Sequence, residues 1–297
     1  MGSVAVRDLW RVIEPCHQAA YRTSETQAAL SSIGLDDPEL QYFGSRLCAL
    51  GPIGAEVACA VLFGFAPSKV GGAIPLVWEQ ATPAAIAGAR LDGATRTLRR
   101  VAGSSITPED IASAAATVRA AALACDVGAR PLCAAHLGLE WSDEPIGVLW
   151  QACTVLREHR GDSHWVVTVA EGLDAVECHV LHATDGHMPR DLLQRVTGWD
   201  DAAWDDGVDR LSARGLVADG RTTPDGAALK AEIEHRTDEL ASSPWQHLDG
   251  NAIQGMHQVL ANLSAAMVAA GELPTWELRE RLWRDLPPRP APNRRDQ

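Results

Sequence analysis

Apolar positions along this chain recur at spacings of three and four residues and rarely alternate, the signature of amphipathic helices rather than strands. Residues 4–23 place Leu9, Val12, Ile13 and Cys16 on one face, with Pro15 marking a kink or a split. A short helical segment follows over 24–34. Asp36, Asp37 and Pro38 then open a helix over 39–50, with acids where the helix dipole favours them. Gly51 and Pro52 break it before an unusually apolar helix over 53–63, in which Glu56 is the one charge. A helix from Pro67 to about Gly88 carries Pro75 and Pro83 as start or kink signals. The Ala-rich run 105–125 starts at a Thr107–Asp110 capping arrangement. Helices are further expected over 174–184, 251–270 and 275–284.

The stretch 189–240 reads as a winged helix-turn-helix. Leu192, Leu193 and Val196 sit at helical spacing, Gly198 marks the turn, and Asp200 caps a second helix. A two-stranded wing turns at Asp219 and Gly220, and Thr222, Thr223 and Pro224 start a long closing helix. The expected fold is therefore all-α with a small two-stranded wing: a helical N-terminal domain and a C-terminal winged helix-turn-helix. The second helix of the motif is the one that would enter a DNA groove. It offers Asp200, Asp201, Asp205, Asp206 and Asp209 against Arg210 and Arg214, where a polyanion calls for basic and amide side chains.

Composition reinforces that doubt. The chain has 297 residues, 46% of them apolar, enough for two domains or for one domain with an appended module. Its net charge of −13 opposes phosphate backbones at long range, and Arg96, Arg99 and Arg100 read as a solvated helix face. The pattern divides into a helical domain (1–140), a helical connector with a His-rich junction (141–186), the winged unit (187–245), C-terminal helices (246–285) and a disordered tail (286–297). Seven widely spaced Cys, with no CxxC pair, indicate buried thiols in a reducing compartment. With no apolar leader and no 18-residue apolar run, a cytoplasmic protein without a membrane segment is expected.

The densest polar feature is Arg157–Trp165, REHRGDSHW. The reading is a helix that ends at Arg160, a reversal at Gly161 and a new helix capped by Asp162 or Ser163. His159 and His164 would then flank one turn and face one cleft against the segment Tyr42–Glu56. Glu158, His159 and His164 are candidate acid/base groups, since imidazole titrates near neutral pH. Five of the ten His fall within residues 159–187, so metal ligation is an alternative, with Glu158, Asp162 or Glu177 completing a shell. HEXXH is absent, acid/base chemistry is favoured over metal, and simple polar packing stays open. Arg46, within an apolar stretch, needs a carboxylate or an anionic ligand. Glu56 is its natural internal partner, giving either a structural Arg46–Glu56 pair or an anion anchor beside a cavity. Tyr42, Arg46, Glu56 and Asp162 are the ligand-binding candidates, and no cofactor is identified.

Several blocks together resemble actinobacterial helix-turn-helix proteins of the SalK type. They are Tyr42–Arg46, Leu50–Glu56, Trp141–Pro145, Leu156–His164 and the module Val208–Leu240. The likeness runs from about Val6 to Pro274. It implies a helical N-terminal half joined to a MarR-like winged helix, and its label implies DNA binding; relatives more often carry Gly at the position of Ser163.

Three functions compete. The first is an enzyme or ligand-binding protein of specialised metabolism, its partner a small molecule, that keeps the winged helix as a scaffold or dimerisation unit, so that a homodimer is among the expected assemblies. The second is a ligand-responsive transcription regulator. The third is a resistance protein that sequesters a metabolite.

Overall fold

The computed structural model describes residues 4–186 and 188–273. The helical reading holds, and so does the single small sheet. Helix α1 (Val6–Gln18) continues through Pro15 without splitting. α2 (Ser24–Ser31) is capped by Thr23, and α3 (Pro38–Leu47) by Asp37, whose carboxylate accepts from the amides of Glu39 and Leu40; a 3-10 turn (Cys48–Leu50) ends α3. The apolar helix expected over 53–63 contracts to α4 (Ala55–Val61). The single helix expected from Pro67 is instead three: α5 (Pro67–Ala73), α6 (Leu76–Gln80) and α7 (Pro83–Ala102). Pro75 and Pro83 cannot donate to a preceding turn, so each ends one helix and begins another. α8 (Pro108–Leu123) carries the Thr107–Asp110 capping box, and α9 (Pro131–Leu137) is short.

Helix α10 (Pro145–Ala170) is the axis of the molecule and corrects the expected junction. It passes through Gly161 without a turn. Residues on both sides of that glycine, from Leu149 and Val155 to Val167, stay buried along one helix, so continuing it covers more apolar surface than a reversal would. Asp162 does cap a helix, but not its own: its carboxylate accepts the Cys133 amide in the first turn of α9, 3.0 Å away.

The winged unit follows: α11 (Ala175–Thr184), α12 (Arg190–Thr197), α13 (Asp201–Ala213), strands β1 (Val217–Ala218) and β2 (Arg221–Thr222), and α14 (Pro224–Leu240). Gly198 takes the left-handed conformation (φ 85°) that ends α12, and Asp200 caps α13. The strands pair antiparallel, Val217 with Thr222 and Ala218 with Arg221. Helix α15 (Gly250–Ala269) returns to pack on α1, α7 and α8. The helix expected over 275–284, the tail 286–297 and His187 lie outside the described residues.

Three apolar cores result. One joins α1, α7, α8, α10 and α15 through Leu9, Leu98, Val118, Leu149 and Leu260. A second gathers α2–α7 and α9 around Phe43, Ile74, Ile86 and Leu132. The third holds the winged unit to the end of α10 through Val167, Val180, Trp204 and Ile233. Among the described residues, no helix is long and apolar enough to cross a membrane.

A buried guanidinium and carboxylate cluster as the candidate functional site

Between the first two cores lies a polar interior assembled from five helices. On α10, Thr154, Arg157 and Glu158 stand at i, i+3 and i+4 and share a face. Glu14 and His17 come from α1, with Tyr21 just beyond its end; Tyr42 and Arg46, at i and i+4, come from α3. Arg90 (α7) and His136 (α9) close the far side.

Glu158, 1% exposed, is the hub. Its Oε2 accepts from Arg157 Nη1 at 2.8 Å and from Arg46 Nη2 at 3.2 Å. Arg157 also donates through Nε to Glu14 Oε2 (3.3 Å), and Arg46 Nη1 donates to the Tyr42 hydroxyl (3.3 Å). His17 Nε2 lies 3.0 Å from the Tyr21 hydroxyl and 4.0 Å from Glu158 Oε1, while its Nδ1 meets Thr154 Oγ1 at 3.1 Å. Arg90, 1% exposed, stacks on Trp150 (4.9 Å) and donates through Nη1 to His136 Nδ1 (3.4 Å) and toward Cys48 Sγ (3.8 Å). An arginine only donates, so His136 Nδ1 accepts and the neutral ring carries its proton on Nε2.

Electrostatics follow from burial and neighbours. Burial alone would raise the Glu158 carboxyl; Arg157 and Arg46 outweigh it and hold it at about 2. Burial and the Arg157 charge push His17 well below the usual imidazole range, and burial with Arg90 lowers His136 to about 3. At neutral pH the interior thus holds ionised carboxylate, guanidinium and two neutral imidazoles.

The sequence candidates are only partly brought together here. Glu158, Arg46 and Tyr42 meet. Glu56 does not: it is exposed in the first turn of α4, and the Arg46–Glu56 pair is replaced by Arg46–Glu158. The reason is tertiary, since α4 turns its charged end to water while α10 presents a carboxylate to α3. His159 and His164 do not share a cleft, because on one continuous helix five residues rotate a side chain by about 140°. His159 is buried in a crevice of about 20 Å³ with Trp10, Leu156, Arg160 and Trp245, and burial with Arg130 lowers it to about 4. His164 meets Thr237 Oγ1 (3.3 Å) and Glu234 (3.8 Å) on α14. Asp162 holds the start of α9, and burial raises its carboxyl to about 7 against the opposing Cys133 amide. Of the other histidines, His179 Nε2 donates to the Gly64 carbonyl at 2.7 Å, tying α11 to the N-terminal half. Among the described residues no three His, Cys, Asp or Glu side chains converge as a metal set.

Sequence reasoning missed Glu14, His17, Tyr21, Arg90 and His136. A signal existed for three of them. Arg90 stands between Ile86 and Ala94 in a row of four-residue steps that is otherwise buried and apolar; His17 follows Leu9 and Ile13 in the same way, and His136 follows Leu132.

Two other surfaces bear on function. A cleft of about 450 Å³ opens between Val6, Leu9, Trp245 and the start of α15. Asp249 is the one charged residue among the described residues lining it, and its carboxylate is spent capping α15 through the amides of Asn251 and Ala252. Its other polar lining residues, Ser242, Gln246, Asn251 and Gln254, are uncharged, so it offers no free ionic anchor. On α13, Asp201, Asp205, Asp206 and Asp209 are all exposed. The neighbouring cations are exposed or half-buried but engaged within the protein: Arg190 pairs with Asp201 and Asp205 (2.8 Å each), Arg210 with Asp174 (2.6 Å) and Glu177 (3.2 Å), and Arg214 donates to the Gly172 carbonyl (2.8 Å).

An all-helical body carrying a winged helix-turn-helix is the class that this fold defines. The chain belongs to a helix-turn-helix family, whose model matches residues 6–274. No curated protein and no solved structure matches the chain.

Proposed function

We propose that the protein binds a small molecule at the cluster built on Arg46, Arg157 and Glu158, and that the winged helix serves as its scaffold. The observation that carries this reading is the charge content of the interior. Three buried or nearly buried guanidiniums, Arg46, Arg90 and Arg157, face two carboxylates, Glu14 and Glu158. Burying an unmatched charge costs several kcal/mol, on the order of what a whole domain has to spare. A purely structural core has no reason to keep it, whereas a binding site does. Tyr42, Arg157 and Gly161 each keep some surface open to solvent, so the ligand approaches past them. Glu158, held ionised, serves to position Arg46 and Arg157 rather than to donate a proton.

Native mass spectrometry of the purified protein tests this. A small molecule retained by the wild type and lost from Arg46→Lys, with the circular dichroism unchanged, is the expected result. Retention undiminished in Arg46→Lys would place the site elsewhere.

The family's description favours a second reading, a DNA-binding regulator. The exposed acidic face of α13 and the internal pairing of Arg190, Arg210 and Arg214 weigh against it, because duplex affinity rests on cations free to displace counterions. Sequence-selective binding in a polarisation assay would promote this reading.

A further inference from the structure

Arg90 differs from every other buried guanidinium of the site in having no carboxylate. Its Nη1 is occupied by His136 and Cys48 and its face by Trp150. Its Nε and Nη2, both fully buried, have no acceptor within hydrogen-bond distance among the described residues. These two N–H groups are not an arbitrary pair. They lie on one edge of the guanidinium and point the same way, forming the fork that receives the two oxygens of a carboxylate side-on. Arg46 Nε and Ser45 Oγ, on α3, are likewise buried without a partner. The 3-10 turn that ends α3 reaches Arg90 through Cys48, whose thiol also meets the Ser45 carbonyl, so the open donors belong to the same interior region.

We propose that the open edge of Arg90, supported by Arg46, receives the carboxylate of a small monoanionic ligand. This rests on the small-molecule reading above and specifies its ligand class. Charge decides between carboxylate and phosphate. Three guanidiniums against Glu14 and Glu158 leave one positive charge, which Asp162, close to half protonated at neutral pH and turned toward α9, offsets only in part. A monoanion therefore leaves the interior nearer to neutral than a phosphate dianion does. Binding is non-covalent, so no bond is made or broken.

The inference separates from the parent reading by experiment. Wild type, Arg90→Gln and Arg90→Lys are titrated with formate and acetate, and with chloride and inorganic phosphate at matched ionic strength, with melting temperature and calorimetry as readouts. Formate and acetate are expected to raise the wild-type melting temperature with concentration, chloride and phosphate to leave it unmoved. Arg90→Gln is expected to melt no lower than wild type, since an unmatched buried charge is gone, and to lose the carboxylate response. Arg90→Lys, which keeps the charge but not the fork, should bind acetate at least tenfold more weakly, and it preserves the test should the Gln variant fail to fold. Equal responses to chloride or phosphate, or a carboxylate response kept in both variants, would overturn the proposal. So would a several-degree loss in Arg90→Gln with an unresponsive wild type, which makes Arg90 structural. A small molecule seen by native mass spectrometry in wild type and retained by Arg90→Gln would overturn this inference alone and leave the binding function standing.

Discussion

Arg46, in the last turn of α3, and Glu158, past the middle of α10, are 112 positions apart in the chain and meet at 3.2 Å in the interior. Arg157 closes on the same carboxylate oxygen from the other side, so one acid holds two cations. Such an arrangement is costly to break from either end, because the surviving groups are left charged and dry.

Glu158→Gln removes the charge but keeps the shape. It is expected to destabilise the fold by about 3–5 kcal/mol, the range for breaking a buried ion pair from one side. Glu56→Gln should stay within about 0.5 kcal/mol of wild type, as exposed substitutions do. Urea denaturation of the two variants decides between the Arg46–Glu158 pair and the Arg46–Glu56 pair that the sequence suggests. A larger loss for Glu56→Gln would reverse the assignment.

Gly161 offers a second test, since a turn glycine and a helix glycine respond oppositely to alanine. Within α10, an alanine Cβ would lie 3.6 Å from Arg157 Nη1, an ordinary contact, and would remove the conformational freedom of the unfolded glycine. Gly161→Ala should therefore stabilise the protein by about 0.5–1 kcal/mol. Gly93→Ala is the contrasting case: its Cβ would collide with the backbone of Thr26, where α7 passes close to α2. A loss of about 1–3 kcal/mol is expected from that overpacking. Thermal unfolding that shows Gly161→Ala destabilised would restore the turn.

Stability should fall as the pH is lowered from about 6.5 to about 4. Burial, helped by Arg90 at His136 and by Arg130 at His159, holds His136, His159 and His179 at about 3, 4 and 4, against 6.5 for a free imidazole. In that window the unfolded chain binds protons that the native state excludes, so this stabilisation is present above 6.5 and is lost on acidification. Asp162 acts in the opposite sense. Its carboxyl, raised by burial from 3.8 to about 7, holds a proton in the folded state that the unfolded chain has released, so the stability this gives is present below 3.8 and is lost as the pH rises from there to about 7. Three histidines against one aspartate make the net slope positive with pH. Asp162→Asn can still accept from the Cys133 amide, and it should gain on the order of a few kcal/mol over wild type above pH 7, an advantage that shrinks as the pH falls and closes near pH 4. Urea midpoints between pH 4 and 8 read both effects; a variant less stable than wild type at pH 8 would show that the Asp162 charge supports the fold.

For the winged unit, no sequence-selective duplex binding is expected at physiological ionic strength. Specific DNA-binding proteins reach roughly 10⁻⁸–10⁻¹¹ M there, largely through phosphate contacts. The exposed face of α13 presents four aspartates, and the cations beside it are tied to Asp174, Glu177, Asp201 and Asp205. Nanomolar, sequence-dependent affinity in a gel-shift assay would make α13 a reading helix after all.

Much of the fold was legible in local chemistry. The caps at Asp37, Thr107 and Asp200, the proline starts at Pro38 and Pro108, the Gly198 turn and the wing are set by residues within a few positions of one another. Local signals failed where two outcomes look alike from nearby. Gly161 followed by Asp162 and Ser163 resembles a helix end and a new cap, and only the burial of residues on both sides of it selects one continuous helix. Prolines at 75 and 83 could have kinked one helix or separated three.

The site divides in the same way. Sequence alone determined that Arg46 sits in an apolar environment and must find a negative partner, because an unpaired guanidinium in a core is too costly to keep. It determined equally that α13 is acidic. Which carboxylate answers Arg46 was decided by tertiary packing: α3 and α10 lie against each other, while α4 turns Glu56 to solvent. Tertiary packing also sent His159 and His164 to different neighbours and brought Glu14, His17, Arg90 and His136 around Glu158. Charge pairing acts over a few ångströms regardless of separation along the chain, so it becomes visible only once the helices are placed.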